Sequence, residues 1–559
     1  MLKKYNDKFW DKVLEDSMYQ NCRETIKDLY HKYCDKPPRR LSYANYKLFQ
    51  ITGDRRRYEE EVFLQRKQLA FSAVMYLIYK KQEYLDYLQE VIWAICDQYS
   101  WSVPAHIHAQ DMEGKITTID LFASEMGHSL SELCYILEDK LDTEVKDRMY
   151  YEVNRRIIQK FMTTESFWWE NAKSNWASVC ACQVAATFLY LAPNLFEKVR
   201  PRFEKAMESF LSSFGNDGAC LEGIAYWNYG FGLFVMYQEL LSSIDKNALR
   251  VFENPKVKNA AMFYQKACLK DGIAVTFSDS QPQALYDIGL LYYLKEIYGD
   301  EIKIPPEKFA LPLERTTRVS SLIRAIMYYD PSKNEKDLVV GSYYFEDAQW
   351  YIKQNERYSF AAKGGHNAEP HNHNDIGSFM VCVNGKQILC DIGVGVYNKD
   401  YFAKETRYKF LGNSSLGHSV PIINGKEQME GVEYKASFAK YEEEKFSVEI
   451  LGAYDEKGSL VRIFHTYDDR IVIIDSYHLD NHPTAIIERF ISYQRPELRE
   501  NSLVWDGLTL EFDGSLFEIR INQCKYENNF LGIFDVYLVD LSVKEPSKEM
   551  ELIFNIQFH

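Results

Sequence analysis

The fold turns on residues 369–393, EPHNHNDIGSFMVCVNGKQILCDIG. From Gly377 to Asp391 apolar and polar side chains alternate with a period of two, the spacing of a strand that presses one face against a core. Asn384-Gly385 interrupts the alternation, and both residues tolerate the positive φ of a two-residue hairpin turn, so a pair of antiparallel strands is predicted. Just ahead stand His371 and His373, one residue apart. On a strand they would project from the same face, and the hairpin would bring Asp391 back alongside them.

Toward the C-terminus the same period returns in Ser447–Tyr454, Arg462–Leu479, Ala485–Tyr493, Leu508–Ile521 and Leu552–His559, with Asn424-Gly425 as a second hairpin signal. Repeated strands without helices between them imply a large antiparallel β-sandwich. Toward the N-terminus the period is that of a helix, in Tyr58–Ser100, Leu121–Phe161, Trp176–Leu191 and Tyr229–Ile244. Breakers at Asp35–Pro38, Ala192-Pro193-Asn194 and Gly215–Gly218 separate these stretches, which together read as a helical toroid or solenoid. The predicted architecture is a helical domain over 1–310, a linker at Lys303–Glu307, and an antiparallel β domain over 315–559.

At 559 residues the chain exceeds one ordinary core, and 46% hydrophobic with 26% charged residues is a globular composition. The net charge of −15 disfavours nucleic acid and anionic membranes as partners, although a locally basic cleft can still hold an anionic sugar. The 41 tyrosines and 9 tryptophans supply core and can also supply stacking platforms for sugar rings. No apolar run is long enough for a membrane span. The opening MLKKYNDKFWDKVLED lacks the apolar centre of a secretion signal, and eleven scattered cysteines suit free thiols, so a cytoplasmic location is expected. Cys180 and Cys182, a CxC with no second pair, read as core.

His373, Asp391 and His418 offer two imidazoles and a carboxylate, a donor set for zinc or a similar divalent ion; the bland alternative is hydrogen-bonded polar residues at the sandwich edge. In the helical half, Ser174-Asn175-Trp176 opens a helix, where Asn175 could be merely an N-cap. Glu222, Tyr226 and Tyr229 share one helical face if their helix begins early enough, an arrangement that also serves plain packing.

Together these residues resemble the heparinase II/III-like polysaccharide lyases. Glu369–Phe379 is similar to that family's H-x-H-x-D-x-G-S-F signature, Asp391-Ile392-Gly393 to Tyr397 resembles its D-x-G…Y element, and Asp217-Gly218 with Glu222-Gly223 to Tyr226 resembles its catalytic-tyrosine segment. The resemblance covers nearly the whole chain and implies an α+β multidomain protein, an incomplete (α/α) toroid followed by an antiparallel β-sandwich. It implies metal ligands at His373, Asp391 and His418, a catalytic tyrosine at Tyr226, and Asn175 and His371 at the substrate carboxylate. Trp176, Glu222, Tyr229, Tyr397 and Arg407 are expected to contact substrate. Two departures stand out: His418-Ser419-Val420 replaces an H-N-T-like continuation, and Trp176 stands where several members carry a second histidine.

The implied reaction is β-elimination on a uronate-containing oligo- or polysaccharide, a glycosaminoglycan such as hyaluronan, chondroitin or heparan ahead of alginate. An unperturbed phenol with a pKa of about 10 is a poor base at neutral pH, so cationic neighbours must favour the phenolate of Tyr226. The metal would act indirectly, fixing His371 through His373. With no second histidine beside Asn175, one tyrosine would serve both proton transfers, which favours syn elimination on gluco- or manno-configured uronates. His128 and His106 are the remaining candidates for the opposite face. Competing readings are a glycoside hydrolase using Asp217 and Glu222, a non-catalytic carbohydrate-binding protein, and a metal-dependent hydrolase.

Overall fold

Asn175–Leu191, NWASVCACQVAATFLYL, is small and apolar on every side, and Ala177, Cys180, Ala181, Cys182, Ala185 and Ala186 are all buried. A helix of that character must be surrounded by others. It packs against Leu121–Ile136, Pro193–Leu211 and Gly232–Leu241. The computed structural model describes residues 7–559 apart from 138, 338 and 339. The first six residues of the charged opening, on which part of the leader reading rests, lie outside the described residues.

Local chemistry sets the helix ends. Asp120 accepts a hydrogen bond from Ala123 N at 2.7 Å to cap Leu121–Ile136, and Asp287 accepts one from Leu290 N at 3.0 Å to cap Ile288–Tyr298. The change of period expected at about residue 315 comes later. Val319–Tyr328 is a further helix, burying Val319, Leu322, Ile323 and Ile326 at helical spacing. The expected linker Lys303–Glu307 is no tether either: Ile304 is fully buried and bridges to Asn334. Among the described residues no helix is long and apolar enough to cross a membrane. None of the eleven cysteines is in a disulfide, and all but Cys22 and Cys524 are buried.

The chain forms two compact units that interleave along the sequence. One is helical and comprises Met1–Ser213, Asn228–Val257 and Tyr286–Asn334; the other comprises Phe214–Trp227, Lys258–Leu285 and Glu335–His559. The second unit is built on two antiparallel sheets. The first runs, in spatial order, Ala439–Glu442, Lys445–Glu449, Gly458–Thr466, Arg470–Leu479, Glu549–Phe558, Leu508–Glu511, Ser502–Trp505 and Glu497–Arg499. The other runs Phe517–Asn528, Gly532–Val543, Ile486–Ser492, Lys386–Leu389, Phe379–Val383, Ser359–Lys363, Trp350–Gln354 and Gly341–Phe345, with Ile422–Ile423 beside Ile486–Ser492. Phe360, Phe379 and Phe490 of one sheet and Phe446, Phe464 and Phe554 of the other share a single core. Each such ring contributes roughly 1.5–3 kcal/mol by leaving water.

The predicted hairpin forms, with Asn384 at φ 50° and Gly385 at φ 73° between Phe379–Val383 and Lys386–Leu389. The histidines ahead of it, however, do not lie on a strand: His371 has a φ of 57°, and the chain is a loop from Ala368 until Phe379. Buried charge pins that loop. Lys363 Nζ, at a strand end, reaches Asp375 Oδ1 at 2.6 Å and Glu369 Oε2 at 3.3 Å. The aspartate of the HNHND run is therefore a loop anchor rather than a ligand.

Candidate active site

Tyr226 sits at the end of a single helical turn, Ile224–Tyr226, that begins only after Gly223. Gly223 has φ 86° and ψ 178°, a conformation open essentially to glycine alone, and a Cβ there would meet Ser280 Oγ at 2.5 Å. Glu222 therefore precedes the helix, and a π-turn follows over Trp227–Phe231, so Glu222, Tyr226 and Tyr229 do not share the continuous face that an earlier helix start would give. Asp217 is spent on the backbone: Oδ2 accepts from Asp347 N at 2.8 Å and Ala348 N at 3.0 Å, and Oδ1 from Ala219 N at 3.0 Å. A carboxylate so engaged is a loop clamp, which weighs against a paired-carboxylate hydrolase.

The Tyr226 hydroxyl lies 2.9 Å from that of Tyr397, and its ring stacks on His371 with centroids 4.6 Å apart and planes 28° apart. Burial, with the nearby charge of Asp279, holds the Tyr397 pKa well above the usual phenol value, so Tyr397 keeps its proton and can donate to Tyr226. His371 in turn is held by Asp279, whose Oδ2 lies 2.7 Å from Nδ1. Burial opposes the imidazolium, but the hydrogen bond and charge of Asp279 outweigh it and raise the His371 pKa.

Asp279 is the centre of the arrangement and carries no signal in the sequence. Its Oδ1 lies 3.0 Å from His373 Nε2 and accepts from the Tyr401 hydroxyl; its Oδ2 also lies 3.4 Å from Arg407 Nη2. Although fully buried, which disfavours charge, it is held well below the ordinary carboxylate range by Arg407 and the two histidines. Arg407 donates further to Asn372 O at 3.0 Å, and Tyr408 to Asn372 Oδ1 at 2.9 Å, fixing the residue between the histidines. The link from His373 to His371 thus runs through a shared carboxylate rather than through the chain.

His373, Asp391 and His418, all buried, bring ligand atoms within 4.8 Å of one another, a group that could bind a metal ion. The hydrogen bonding fits that use. His418 Nε2 lies 2.9 Å from Gly412 O, which can only accept, so that nitrogen carries a proton; Nδ1 then faces Asp391 Oδ2 at 3.0 Å, a contact that needs a cation or a second proton between them. His373 gives Nε2 to Asp279 and leaves Nδ1 buried with no hydrogen-bond partner among the described residues. Asp391 Oδ1 accepts from Gly393 N at 2.9 Å, which orients the carboxylate.

The other candidates belong to the helical unit. Ser174 takes the N-cap position, so Asn175 is the first helical residue, nearly buried, with Gly230 packed on its Cβ. Trp176 lies against Trp168 and His106, at 4.7 and 4.9 Å between centroids, and Trp168 is 62% exposed. Tyr229 donates to Glu125 Oε1 at 2.5 Å in a buried cluster with Arg318 and Arg66. His128 is fully buried against Gln183, while His106 is bound to Asp120 Oδ2 at 2.8 Å. Trp169 is core there, and Trp227 is core in the other unit.

Residues 340–475 match the family described as heparinase II/III-like, C-terminal. This stretch is similar to the heparinase II/III-like C-terminal domain. It contains His371, His373, Asp391, Arg407 and His418, whereas Tyr226 and Asp279 lie outside the matched residues. The fold of the chain, an (α/α) toroid with a β-sandwich, recurs in solved polysaccharide lyases. The heparan sulfate lyase HepC from Pedobacter heparinus is 14% identical, with a TM-score of 0.60 over 97% of this chain and 84% of that one. A structure of heparinase III is 12% identical, with a TM-score of 0.62 over 97% and 92%. The Streptomyces coelicolor A3 chondroitin AC lyase is 10% identical, with a TM-score of 0.58 over 98% and 80%. A search of curated protein sequences gives no match.

Proposed function

We infer that the protein is a polysaccharide lyase that cleaves a uronate-containing glycan by β-elimination, with Tyr226 as base and acid. The observation that carries this reading is the Tyr226 phenol, bonded to Tyr397 and stacked on a histidine anchored by a buried carboxylate. As phenolate, Tyr226 takes the C5 proton. The C–H electron pair forms the C4–C5 double bond, the C4–O4 bond breaks, and Tyr226 returns the proton to O4. Tyr397 stabilises the phenolate by donating to it, and the His371 ring beside it lowers the cost of the charge. With Nδ1 committed to Asp279, His371 offers Nε2 to the uronate carboxylate, where charge accumulates as C5 loses its proton.

A divalent ion such as zinc would be held by His373, Asp391 and His418; when bound it supplies positive charge that fixes those side chains. One tyrosine acting on both sides of the transfer favours gluco- or manno-configured uronates. The buried state of His128 supports this, because that residue has no exposed surface to offer a substrate.

The test is a panel of heparan sulfate, chondroitin, hyaluronan and alginate, assayed by ultraviolet absorbance for unsaturated uronate. Wild type should release it from at least one glycan, and Tyr226→Phe should lower turnover by roughly 10²–10⁴-fold while still binding. Saturated products, full activity in Tyr226→Phe, or cleavage confined to iduronate or guluronate linkages would each sink the scheme.

A further inference from the structure

A cavity lies wholly within the helical unit, and none of the residues lining it belongs to the site above. It encloses about 880 Å³, inside the roughly 300–1,000 Å³ of ordinary small-molecule sites. Its wall is an ordered group of rings. Tyr46 meets Tyr58 and Tyr99 edge-on, at 5.6 and 5.8 Å between centroids, and lies within 19° of parallel to Tyr43 at 6.4 Å. Three rings of the lining keep much of their surface open: Tyr43 is 76% exposed, Trp93 43% and Tyr99 42%. Exposed aromatic rings braced by other rings are costly unless something covers them, and they lose little conformational freedom when it does.

The polar lining limits what that something is. Arg40 and Glu90 are exposed and, among the described residues, neither is held in an ion pair. Lys115 and Asp97 also line the cavity, so two cations face two anions. A balanced set of donors and acceptors beside flat apolar faces suits a ligand that is apolar on one face and rich in hydroxyls at its edge. That is the chemistry of a pyranose ring. It is ill suited to a purely apolar ligand, which would strand these charges, and to capture of a polyanion by charge alone.

We propose that this cavity is a second glycan-binding site, which grips sugar residues that are not themselves cleaved. The lyase reading enters only in naming the glycan, a uronate-containing polymer. Binding to full-length protein carrying Tyr226→Phe, which should not consume the ligand, is measured by calorimetry with oligosaccharides and polymers of heparan sulfate, chondroitin, hyaluronan and alginate. Trp93→Ala and Tyr43→Ala, both at exposed positions, are then added singly, with circular dichroism as the check on folding. Each should weaken binding of at least one glycan roughly tenfold, and Arg40→Gln should do so where a ring variant misfolds. In the protein with Tyr226 intact, Trp93→Ala should raise KM for polymer and leave kcat alone. Undiminished affinity in all three variants, or no glycan bound by the parent, overturns the proposal. If the pocket variants lose binding while wild type releases no unsaturated product, the lyase reading fails and this site stands.

Discussion

Replacing Asp279 by Asn tests the centre of the site with a change of a few atoms. The carboxylate takes His373 and Tyr401 on Oδ1 and His371 and Arg407 on Oδ2, with His371 at 2.7 Å and His373 at 3.0 Å. An amide keeps one accepting oxygen, so whichever way it turns, two donors face an N–H instead. Hydrogen bonds to a charged group are worth about 1.5–3 kcal/mol each, and breaking a buried charged pair by removing one partner costs about 3–5 kcal/mol. The strand-rich unit should therefore lose stability on that scale, read as a lower urea midpoint. Loss of the His371 anchor alone corresponds to a roughly 10- to 150-fold fall in kcat, with a smaller change in KM because the charge on the substrate carboxylate grows toward the transition state. The assay is unsaturated-uronate release beside urea unfolding. Wild-type kcat together with an unshifted midpoint would refute the assignment of Asp279 as the residue that positions His371.

Gly223→Ala should cost about 2–6 kcal/mol locally, the sum of a backbone conformation closed to alanine and a Cβ forced onto Ser280; elimination should fall sharply while circular dichroism is retained, and normal activity would contradict the placement of Tyr226. In the sandwich core, Arg462 is clamped by both oxygens of Asp475, at 2.8 and 2.7 Å, so Asp475→Asn should destabilise by about 3–5 kcal/mol in urea unfolding. Glu488 beside it has its pKa raised well above the usual value by burial and by Asp475. Its contribution is complete below the unfolded carboxylate pKa and fades as pH rises through the raised folded value, so Glu488→Gln should flatten the loss of stability on that side, checked by urea midpoints across a pH series. A chelator should lower thermal stability if the His373, Asp391 and His418 group holds an ion, and re-addition of zinc should restore it; a melting temperature indifferent to both argues that the group is closed by protons.

The order of helices and strands is legible because periodicity reports local burial, and the HNHND run is legible because imidazoles and carboxylates at short spacing are rare without a reason. What the sequence conceals is long-range. Asp279 lies in a stretch, Phe277-Ser278-Asp279-Ser280, with neither period nor partner nearby, and only the folded chain brings it to two histidines some ninety residues away. The helix Val319–Tyr328 is short enough for its pattern to pass as the start of the strand region. The loop geometry of His371 is hidden for another reason: its positive φ falls within a loop pinned by the buried pairs of Lys363 with Asp375 and Glu369, and neither follows from a period in the sequence.

The interleaving of the two units has a consequence for biosynthesis and for protein engineering. A nascent chain crosses from one unit to the other four times before the final crossing at Glu335, so Tyr226 and Asp279 leave the ribosome long before the strands of their own unit. A fragment starting at Glu335 would carry His373, Asp391 and His418 but neither Tyr226 nor the anion that steadies His371. Transplanting the proposed chemistry to another scaffold therefore means moving three separated stretches of chain, and cutting the gene where helices give way to strands would part Tyr226 and Asp279 from His371.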